Sequence, residues 1–289
     1  TFFMIVWLAS YPKSGNTWVR SFLISILFSK KKDFDLKDLN LINQYPSRRF
    51  FKNFINNPLD IHEVKKNWLI TQDKINSDKK IKFFKTHNSL CNLDNYYFTN
   101  FKNSLGAIYI VRDPRNVITS IKNHYSYASY EEAKKFIFDE NCLLGIDDKK
   151  QVNISLKENK IITPISSWKT HYNSWKMFKR NFLLIKYENL IEDPFSEFKK
   201  LCNYVGKLLN LSFDDNQIKK SIDDCSFHSL KSKEERDGFE ESTHNKLKGK
   251  KNRFFFLGPK NRWKELLDDK TIYQIEKNFK KEMLELGYL

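Results

Sequence analysis

One short segment constrains the fold more than any other part of the chain. Residues 9–18 read ASYPKSGNTW, and they follow an apolar run at residues 3–8 that predicts a buried strand. Beyond the segment, apolar side chains recur at helical spacing over residues 18–28. The pattern therefore predicts a strand, a short polar loop and the start of a helix.

Such a loop is suited to binding a phosphate group. Free backbone N–H groups and the positive end of the helix dipole point at one place beyond it. Gly15 allows close backbone approach, and Lys13 adds a mobile cation. Ser14 and Thr17 add hydroxyl donors. An ordinary turn with an exposed lysine is the alternative, because short Gly/Ser/Lys loops are common.

A second segment favours the phosphate-site interpretation. Residues 105–111 (LGAIYIV) predict another buried strand, and Arg112 follows it directly. Asp113 is a good N-cap and Pro114 a good first helical residue, so we expect a helix to begin there. Arg112 can bind a phosphate through two parallel hydrogen bonds, and it can fold back along the helix toward Ser120. Helix capping with a surface salt bridge is the alternative.

The two segments resemble the 5′-phosphosulfate loop and the 3′-phosphate site of the sulfotransferases that use 3′-phosphoadenosine 5′-phosphosulfate (PAPS). The motif Tyr-Pro-Lys-Ser-Gly-x-Thr-Trp is specific when it is paired with Arg-Asp-Pro and a later serine. The resemblance covers most of the chain, from Met4 to the final LGYL. It implies PAPS as co-substrate, with 3′-phosphoadenosine 5′-phosphate (PAP) as its product, and no metal.

The resemblance also implies a role for each residue of the two segments. Lys13 would contact the bridging oxygen and the 5′-phosphate. The same phosphate would be cradled by four residues, Ser14, Gly15, Asn16 and Thr17. Trp18 would stack on adenine, and Arg112 and Ser120 would hold the 3′-phosphate. Asn16 stands where the family often has threonine, so a side-chain hydroxyl contact is lost there.

A third segment contains a candidate general base. Residues 81–84 (IKFF) predict a strand, and Lys85 and His87 follow it. Ligands of open α/β sheets gather at the carboxyl ends of strands, which favours a site role for His87 over that of a surface histidine. A neutral alcohol is a poor nucleophile and needs such a base. By resemblance, His87 takes the acceptor's proton, while Lys85 and Lys13 stabilise the transferred charge.

Later segments add candidate nucleotide contacts through the resemblance alone. Tyr187, after a strand predicted at residues 182–185, would approach adenine, as would Ser226 and Phe227. Gly258 keeps the spacing of the family's lid over the 3′-phosphate. The family's Arg and Lys positions hold phenylalanine and leucine here, so the lid charge would come from one of Lys251, Arg253, Lys260 and Arg262. We predict a lid or flexible loop over residues 231–262, because residues 231–251 are polar without a periodic apolar face.

Length and composition agree with one α/β domain over residues 1–289. Forty per cent of the residues are hydrophobic, which is enough for a large core. Further helices are predicted from Pro164 to about Asn181 and from Pro194 to a stop at Gly206. Alternating strands and helices predict a three-layer α/β/α sandwich with a central, mainly parallel sheet, like that of P-loop nucleoside triphosphatases.

Apolar run lengths and cysteine usage bear on the cellular location. No apolar segment reaches about 18 uncharged residues, so we expect no membrane span. Residues 1–8 lack the features of a signal peptide. The four cysteines are scattered, which indicates a reducing compartment, the cytoplasm, and no structural zinc.

The net charge of +16 leaves other functions open. A small-molecule kinase of the P-loop type is one alternative, although Lys13 precedes the glycine and no carboxylate for Mg²⁺ is evident. A non-catalytic basic module that binds nucleotides or nucleic acid is another. The basic runs 30–32, 79–80, 149–150 and 246–253 form no recognition helix, so we expect no nucleic-acid partner.

The acceptor and the oligomeric state are not specified by the sequence. Segments 33–66 and 125–162 are predicted to wall the acceptor pocket, and they fit a small molecule, a lipid or a carbohydrate with a hydroxyl group equally well. Thr271 and Glu276 partly match a dimer motif of the family, but its upstream lysine is out of register. A homodimer is therefore compatible with the sequence and is not specified by it.

Overall fold

A computed structural model describes residues 4–28, 34–145, 161–245 and 250–289 of the chain. In chain order the strands are β1 (Ile5–Ser10), β2 (Lys82–Thr86), β3 (Asn92–Leu93), β4 (Tyr96–Tyr97), β5 (Ser104–Val111), β6 (Leu143–Leu144), β7 (Thr163–Pro164), β8 (Phe182–Lys186), β9 (His244–Asn245) and β10 (Lys250–Lys251). The α-helices are α1 (Asn16–Phe28), α2 (Arg48–Phe51), α3 (Ile61–Lys66), α4 (Trp68–Ile75), α5 (Pro114–His124), α6 (Tyr130–Phe138), α7 (Trp168–Lys176), α8 (Tyr187–Glu192), α9 (Pro194–Leu209), α10 (Asp215–Asp224), α11 (Phe227–Asp237), α12 (Trp263–Leu266), α13 (Asp269–Asn278) and α14 (Lys280–Glu285).

Four parallel strands form the central sheet, in the order β2-β1-β5-β8. Strand β1 lies inside the sheet and is buried along its whole length. Its sequence is apolar at nearly every position because a parallel strand covered on both faces has no solvent side. The strands run in the same direction, so their carboxyl ends share one edge of the sheet. The loops that leave this edge begin after Ser10, Thr86, Val111 and Lys186.

The two faces of the sheet are covered by separate apolar clusters. Trp7 and Tyr109 point to one face, where they pack with residues of α5, α7, α13 and α14. Leu8 and Ile108, next to them in sequence, point to the other face and pack with residues of α1, α9, α10 and α11. Side chains alternate between the faces of a strand, and this alternation feeds both clusters. The expected three-layer sandwich is therefore confirmed.

The predicted start of the helix after residue 163 is wrong. Pro164 lies in the short strand β7, and α7 begins at Trp168 instead. Ser166 has a φ of 57°, in the left-handed region, so the chain cannot be helical there. The Ser167 side chain caps α7 by accepting a hydrogen bond from the Thr170 N–H.

The predicted end of the helix at Gly206 is also wrong. Helix α9 continues to Leu209, and it ends where Asn210 adopts a left-handed φ of 55°. Gly206 lies inside the helix, where the chain returns closely over it. A Cβ at this position would lie 2.5 Å from the carbonyl oxygen of Leu211. The glycine therefore serves a close approach and is not a stop signal.

Several predictions fall partly on residues that the structure does not describe. Lys30, Lys31, Lys32, Lys149 and Lys150 lie outside the described residues, as do residues 246–249 of the predicted lid and residues 33 and 146–160 of the predicted acceptor walls. Residues 231–237 form the last part of helix α11, and the predicted role of residues 231–262 as a lid or flexible loop stays a prediction. No helix among the described residues is long and apolar enough to cross a membrane.

Candidate active site

A cavity of about 1130 Å³ opens at the carboxyl ends of the central strands. The segments that follow β1, β2, β5 and β8 bring Lys13, His87, Arg112 and Tyr187 to its wall. The sequence-predicted site residues that line the cavity are Lys13, Gly15, Asn16, Thr17, Trp18, Lys85, His87, Arg112, Ser120, Tyr187, Ser226, Phe227 and Gly258. Ser14 and Arg253 are predicted site residues outside this lining.

Two residues of the loop after β1 have positive φ angles, a conformation that glycine adopts readily. Lys13 has a φ of 65° and Gly15 a φ of 102°. A Cβ on Gly15 would lie 2.4 Å from Cδ2 of Tyr187, so this glycine admits a neighbouring ring as well as an unusual φ. The Asn16 side chain fixes the loop to the sheet, because its Nδ2 donates to the Leu8 carbonyl at 3.0 Å and to Ser10 Oγ at 3.1 Å.

Two polar atoms of this loop have no protein partner within the described residues. Ser14 Oγ and Asn16 Oδ1 are buried and make no hydrogen bond there. Buried polar atoms are nearly always paired in folded proteins, so an unpaired one needs an explanation. A hydroxyl without a partner beside a helix N-terminus is consistent with a site for an anionic ligand.

The side chain of Lys13 is desolvated in this structure. Its Nζ lies 3.6 Å from the centroid of the Phe254 ring. Burial lowers the pKa of Lys13 to about 7; the Glu241 carboxylate opposes that change, and the charges of Arg112 and Lys85 add to it. An incoming phosphate would restore the charged form of this side chain.

Arg112 reaches both the loop and Ser120. One guanidinium nitrogen, NH1, donates to the Lys13 carbonyl at 3.0 Å and to Ser120 Oγ at 3.1 Å. The guanidinium lies 4.2 Å from the centre of the Tyr187 ring. Its Nε is buried and has no partner among the described residues. The arginine thus keeps hydrogen-bonding capacity for an anion at this end of the cavity.

The start of α5 is fixed by a charged network behind Arg112. Asp113 caps the helix by accepting from the Arg115 N–H at 2.9 Å, and it also pairs with the Arg115 guanidinium. Glu188 accepts from the Asp113 N–H at 3.0 Å and from the Tyr288 hydroxyl at 2.8 Å. This segment does contain a salt bridge, but it is buried rather than at the surface, it is formed by Asp113 and Arg115, and it leaves the Arg112 guanidinium at the cavity.

Asn261 is a site residue that the sequence reasoning missed. Its Nδ2 donates to Ser120 Oγ at 3.1 Å and its Oδ1 accepts from Thr119 Oγ1 at 2.6 Å. The amide therefore orients the serine hydroxyl next to Arg112. Asn261 belongs to no recognisable sequence motif, so this contact was not predictable from the sequence.

The imidazole of His87 has a defined tautomer. Its Nδ1 lies 2.8 Å from the carbonyl oxygen of Ser10, which can only accept, so Nδ1 carries the proton. Nε2 therefore has a free lone pair. Burial, together with the nearby Lys85 charge, lowers the pKa of His87 to about 3. The ring is neutral at physiological pH and can accept a proton at Nε2.

His171 forms a hydrogen bond with the backbone of His87. This fully buried imidazole donates from Nε2 to the His87 carbonyl at 3.1 Å and accepts at Nδ1 from the Tyr109 hydroxyl, 2.9 Å away. Burial lowers the pKa of His171 to about 3, so it stays neutral. No pattern in the sequence distinguishes it from the other histidines. Its contact depends on the packing of α7 against the sheet.

His124 is another histidine at the cavity wall. It ends α5, and its ring lies 5.8 Å from the Phe254 ring and 4.8 Å from the Tyr125 ring. Burial lowers the pKa of His124 well below its usual value, with a further contribution from Lys13.

Glu241 is the most prominent residue that the sequence reasoning missed. Its Oε1 lies 2.8 Å from NH2 of Arg20 and 3.1 Å from Nζ of Lys85, and its Oε2 lies 3.4 Å from Thr17 Oγ1. Burial tends to raise the pKa of Glu241, but the two cations outweigh burial and hold it well below its usual range. The carboxylate is therefore ionised, and it is flanked by two predicted site residues.

The opposite end of the cavity is aromatic. The Trp18 ring makes edge contacts with Tyr187 at 5.9 Å and with Phe198 at 5.6 Å between ring centres. Gly258 has a φ of 52°, and a Cβ on it would lie 2.3 Å from Cε2 of Phe227. Such a surface of ring faces and edges suits a flat heterocycle.

Two further predicted residues have local structural roles. Ser226 caps α11, because its Oγ accepts from the Ser229 N–H at 3.3 Å. Arg253 is exposed and pairs with Glu235 of α11 at 2.9 Å. In this structure its charge is therefore directed to the surface of α11, and its predicted contact with the nucleotide stays a prediction.

Residues 5–287 match the sequence profile of the sulfotransferase domain. The chain belongs to the sulfotransferase family. Over 287 residues, this sulfotransferase is 23% identical to luciferin sulfotransferase from Photinus pyralis, and the alignment covers 95% of this chain and 70% of that relative. The family assignment favours sulfuryl transfer over the kinase alternative.

Two solved structures share the fold of this chain. A mouse sulfotransferase complexed with PAP superposes with a TM-score of 0.58 at 19% identity, covering 97% of this chain and 84% of that one. Retinol dehydratase in complex with androsterone and PAP gives a TM-score of 0.57 at 16% identity, covering 96% and 80% of the two chains. At this level of identity, the two matches establish the shared fold.

Within the described parts of this sulfotransferase, no group of three or more His, Cys, Asp or Glu side chains could hold a metal ion.

Proposed function

We propose that this sulfotransferase transfers the sulfuryl group of PAPS to the hydroxyl group of a small-molecule, lipid or carbohydrate acceptor. One observation carries the proposal: the segments after parallel strands bring Lys13, His87 and Arg112 to the wall of a single cavity. A mobile cation, a neutral base and a second cation are the groups that this reaction requires. Two proteins that share the fold were solved with PAP bound.

The nucleotide would lie across the cavity from the loop after β1 to the aromatic end. Backbone N–H groups and side chains of residues 13–17 would hold the 5′ end, since they surround the N-terminus of α1. Arg112 and Ser120 would hold the 3′-phosphate, with Asn261 orienting the serine. Adenine would pack among Trp18, Tyr187 and Phe227, near Ser226.

The proposed chemistry is an in-line displacement at sulfur. His87 Nε2 accepts the proton of the acceptor hydroxyl while the acceptor oxygen forms its bond to sulfur. The bond between sulfur and the bridging oxygen breaks, and PAP leaves with that electron pair. Lys13 and Lys85 stabilise the negative charge that develops on the leaving oxygen. The products are a sulfate ester and PAP.

The acceptor would occupy the part of the cavity beside His87. Its wall combines aromatic and aliphatic side chains, among them Tyr125, Phe136 and Leu143, with polar ones such as Asn43 and Gln44. A molecule with an apolar body and a hydroxyl group suits such a wall. We keep the cytoplasm as the proposed compartment, because the four cysteines are free thiols.

Replacing Arg112 by alanine tests the nucleotide assignment. PAP binding should weaken by at least about tenfold, because a charge-assisted phosphate contact is worth on the order of 1.5–3 kcal/mol. AMP lacks the 3′-phosphate, so its affinity should be almost unchanged. Calorimetry with both ligands measures the difference, with Arg180→Ala, at a half-buried position outside the cavity lining, as a control variant. Equal losses for PAP and AMP would assign Arg112 to another role.

Chelation tests whether the reaction needs a divalent ion. Lysine and backbone donors would neutralise the phosphosulfate, so turnover of PAPS should persist in excess EDTA. The measurement is the initial rate with labelled PAPS and an acceptor, with and without added Mg²⁺. A strict requirement for Mg²⁺, together with turnover of ATP, would favour the kinase alternative instead.

A further inference from the structure

The carboxylate of Glu241 fills an anion site inside the cavity. It touches three groups that come from two different elements: Arg20 and Thr17 of α1, and Lys85 of β2. The glutamate itself belongs to the segment between α11 and β9. The contacts therefore join this covering segment to the floor of the site.

The site that holds the carboxylate is built from buried cations. Both charged side chains are buried: Arg20 is 4% exposed and Lys85 is 5% exposed. Burying two cations is unfavourable unless an anion lies between them. The Nε of Arg20 is buried and has no partner within the described residues, so the site can offer a further hydrogen bond.

Helix α1 adds to the attraction for an anion. Thr17 lies in its first turn, and this turn contains no acidic residue of its own. The partial positive charge of the helix N-terminus is therefore compensated here by Glu241. A helix N-terminus and two buried cations therefore surround this carboxylate.

The carboxylate and the co-substrate compete for the same groups. Thr17 and Lys85 are contacts proposed above for the phosphosulfate end of PAPS. Two anions cannot share these partners without strong repulsion in a partly buried site. Glu241 therefore has to leave when the phosphosulfate arrives.

The covering segment is held as one unit with the aromatic residues beside Lys13. Glu234 of α11 accepts hydrogen bonds from Ser242 Oγ at 2.6 Å and from the Phe254 N–H at 2.7 Å. Ser242 is the neighbour of Glu241, and Phe254 is the ring against which Lys13 rests. Displacing Glu241 would therefore also change the surroundings of Lys13.

We propose that Glu241 is an internal substitute for the phosphosulfate group, that PAPS displaces it, and that Arg20 then binds this group as a further cation of the site. This inference rests on the proposed function, since it assigns residues to the same co-substrate. It adds Arg20, which no sequence pattern singled out, to the groups that contact the phosphosulfate. It also predicts that the segment around Glu241 loses its contacts with Thr17, Arg20 and Lys85 on binding.

Calorimetry with PAP tests the displacement. In Glu241→Gln the competing charge is gone, so PAP should bind at least about tenfold more tightly than to the wild type. Asp237→Asn is the matched control, because it removes one negative charge from the exposed end of α11 and should change the affinity less than about threefold. Weaker or unchanged binding in Glu241→Gln, with the fold intact by circular dichroism, overturns the inference.

A double variant tests the role of Arg20. If Arg20 binds the co-substrate, Arg20→Met/Glu241→Gln should bind PAP at least about tenfold more weakly than Glu241→Gln alone. The double variant removes both members of the ion pair, which avoids leaving an unpaired buried carboxylate. Equal affinities of the double and single variants would make Arg20 a structural partner of Glu241 only, and would overturn that part of the inference.

Hydrogen exchange of the wild-type protein tests the displacement without any substitution. On addition of PAP, amides of residues 239–243 should lose protection while those of residues 13–17 gain it. Increased protection of residues 239–243 overturns the inference and leaves the proposed function standing. If neither the wild type nor any variant binds PAP, the proposed function fails and this inference fails with it.

Discussion

Substitution of His87 by alanine should lower kcat by about 10²–10⁴, the usual cost of losing a general base. PAP should still bind, because His87 belongs to the acceptor side of the proposed site. The imidazole is neutral, with Nδ1 bonded to the Ser10 carbonyl, and the substitution removes the only proposed proton acceptor, Nε2. Initial rates at saturating acceptor, combined with calorimetry of PAP, measure both effects.

Three comparisons make this expectation specific. His87→Arg and His87→Lys should not restore activity, because a cation cannot accept a proton. His62→Ala and His228→Ala, at exposed positions, are the control variants and should retain almost full activity. An acidic phenol ionises by itself, so only an alcohol acceptor should depend strongly on His87. Retention of more than about a tenth of wild-type kcat with an alcohol would assign the base to another residue.

Substitution of Lys13 by methionine should lower kcat by about 10²–10³, the range found when one group that stabilises transition-state charge is removed. The same variant should lose a pH dependence of binding. In the free wild-type protein the pKa of Lys13 is about 7, so above pH 7 the side chain is mostly neutral and must take up a proton to bind a phosphate as a cation. PAP affinity should therefore fall by up to about tenfold per pH unit between pH 7 and 9.

The sign of this effect follows from the direction of the pKa change. Binding of an anion raises the pKa of a lysine, so the complex is favoured at the lower pH, where the ammonium already exists. Calorimetry from pH 6.5 to 9 on wild type, Lys13→Met and the exposed Lys102→Met gives the three profiles. The wild type and Lys102→Met should share the slope. A slope that persists in Lys13→Met would assign the titration to Lys85, whose pKa is also lowered by burial.

Local sequence patterns predicted the elements that position the site. Strands β1, β2, β5 and β8 were each predicted within two residues at either end, because a strand covered on both faces is an uninterrupted apolar run. The start of α5 was predicted from Asp113 and Pro114, whose capping chemistry is local. The hydrogen bond from Arg112 to Ser120 was also predictable, because both residues belong to α5 or lie just before it. Such features need only neighbours in sequence, and a sequence contains that information.

Three features of the structure differ from the predictions or were not predicted. The boundary of α7 depends on the left-handed backbone at Ser166, and Gly206 is needed where Leu211 returns over the helix. The predicted role of Arg253 in the lid rested on spacing, whereas its side chain pairs with Glu235 on α11. In each case the outcome depended on a backbone conformation or a contact that the residue pattern did not show.

The sequence by itself therefore determined the sulfotransferase fold class and the strand-end positions of Lys13, His87 and Arg112. Parallel strands collect their following loops at one edge, so predicting the strands was enough to predict which segments meet. Only the tertiary structure decided the tautomer of His87, the desolvation of Lys13 and the ion pairs of Glu241 with Arg20 and Lys85. Those properties arise from burial and from contacts such as that between Arg20 and Glu241, which are 221 positions apart in the chain, and no local pattern encodes them.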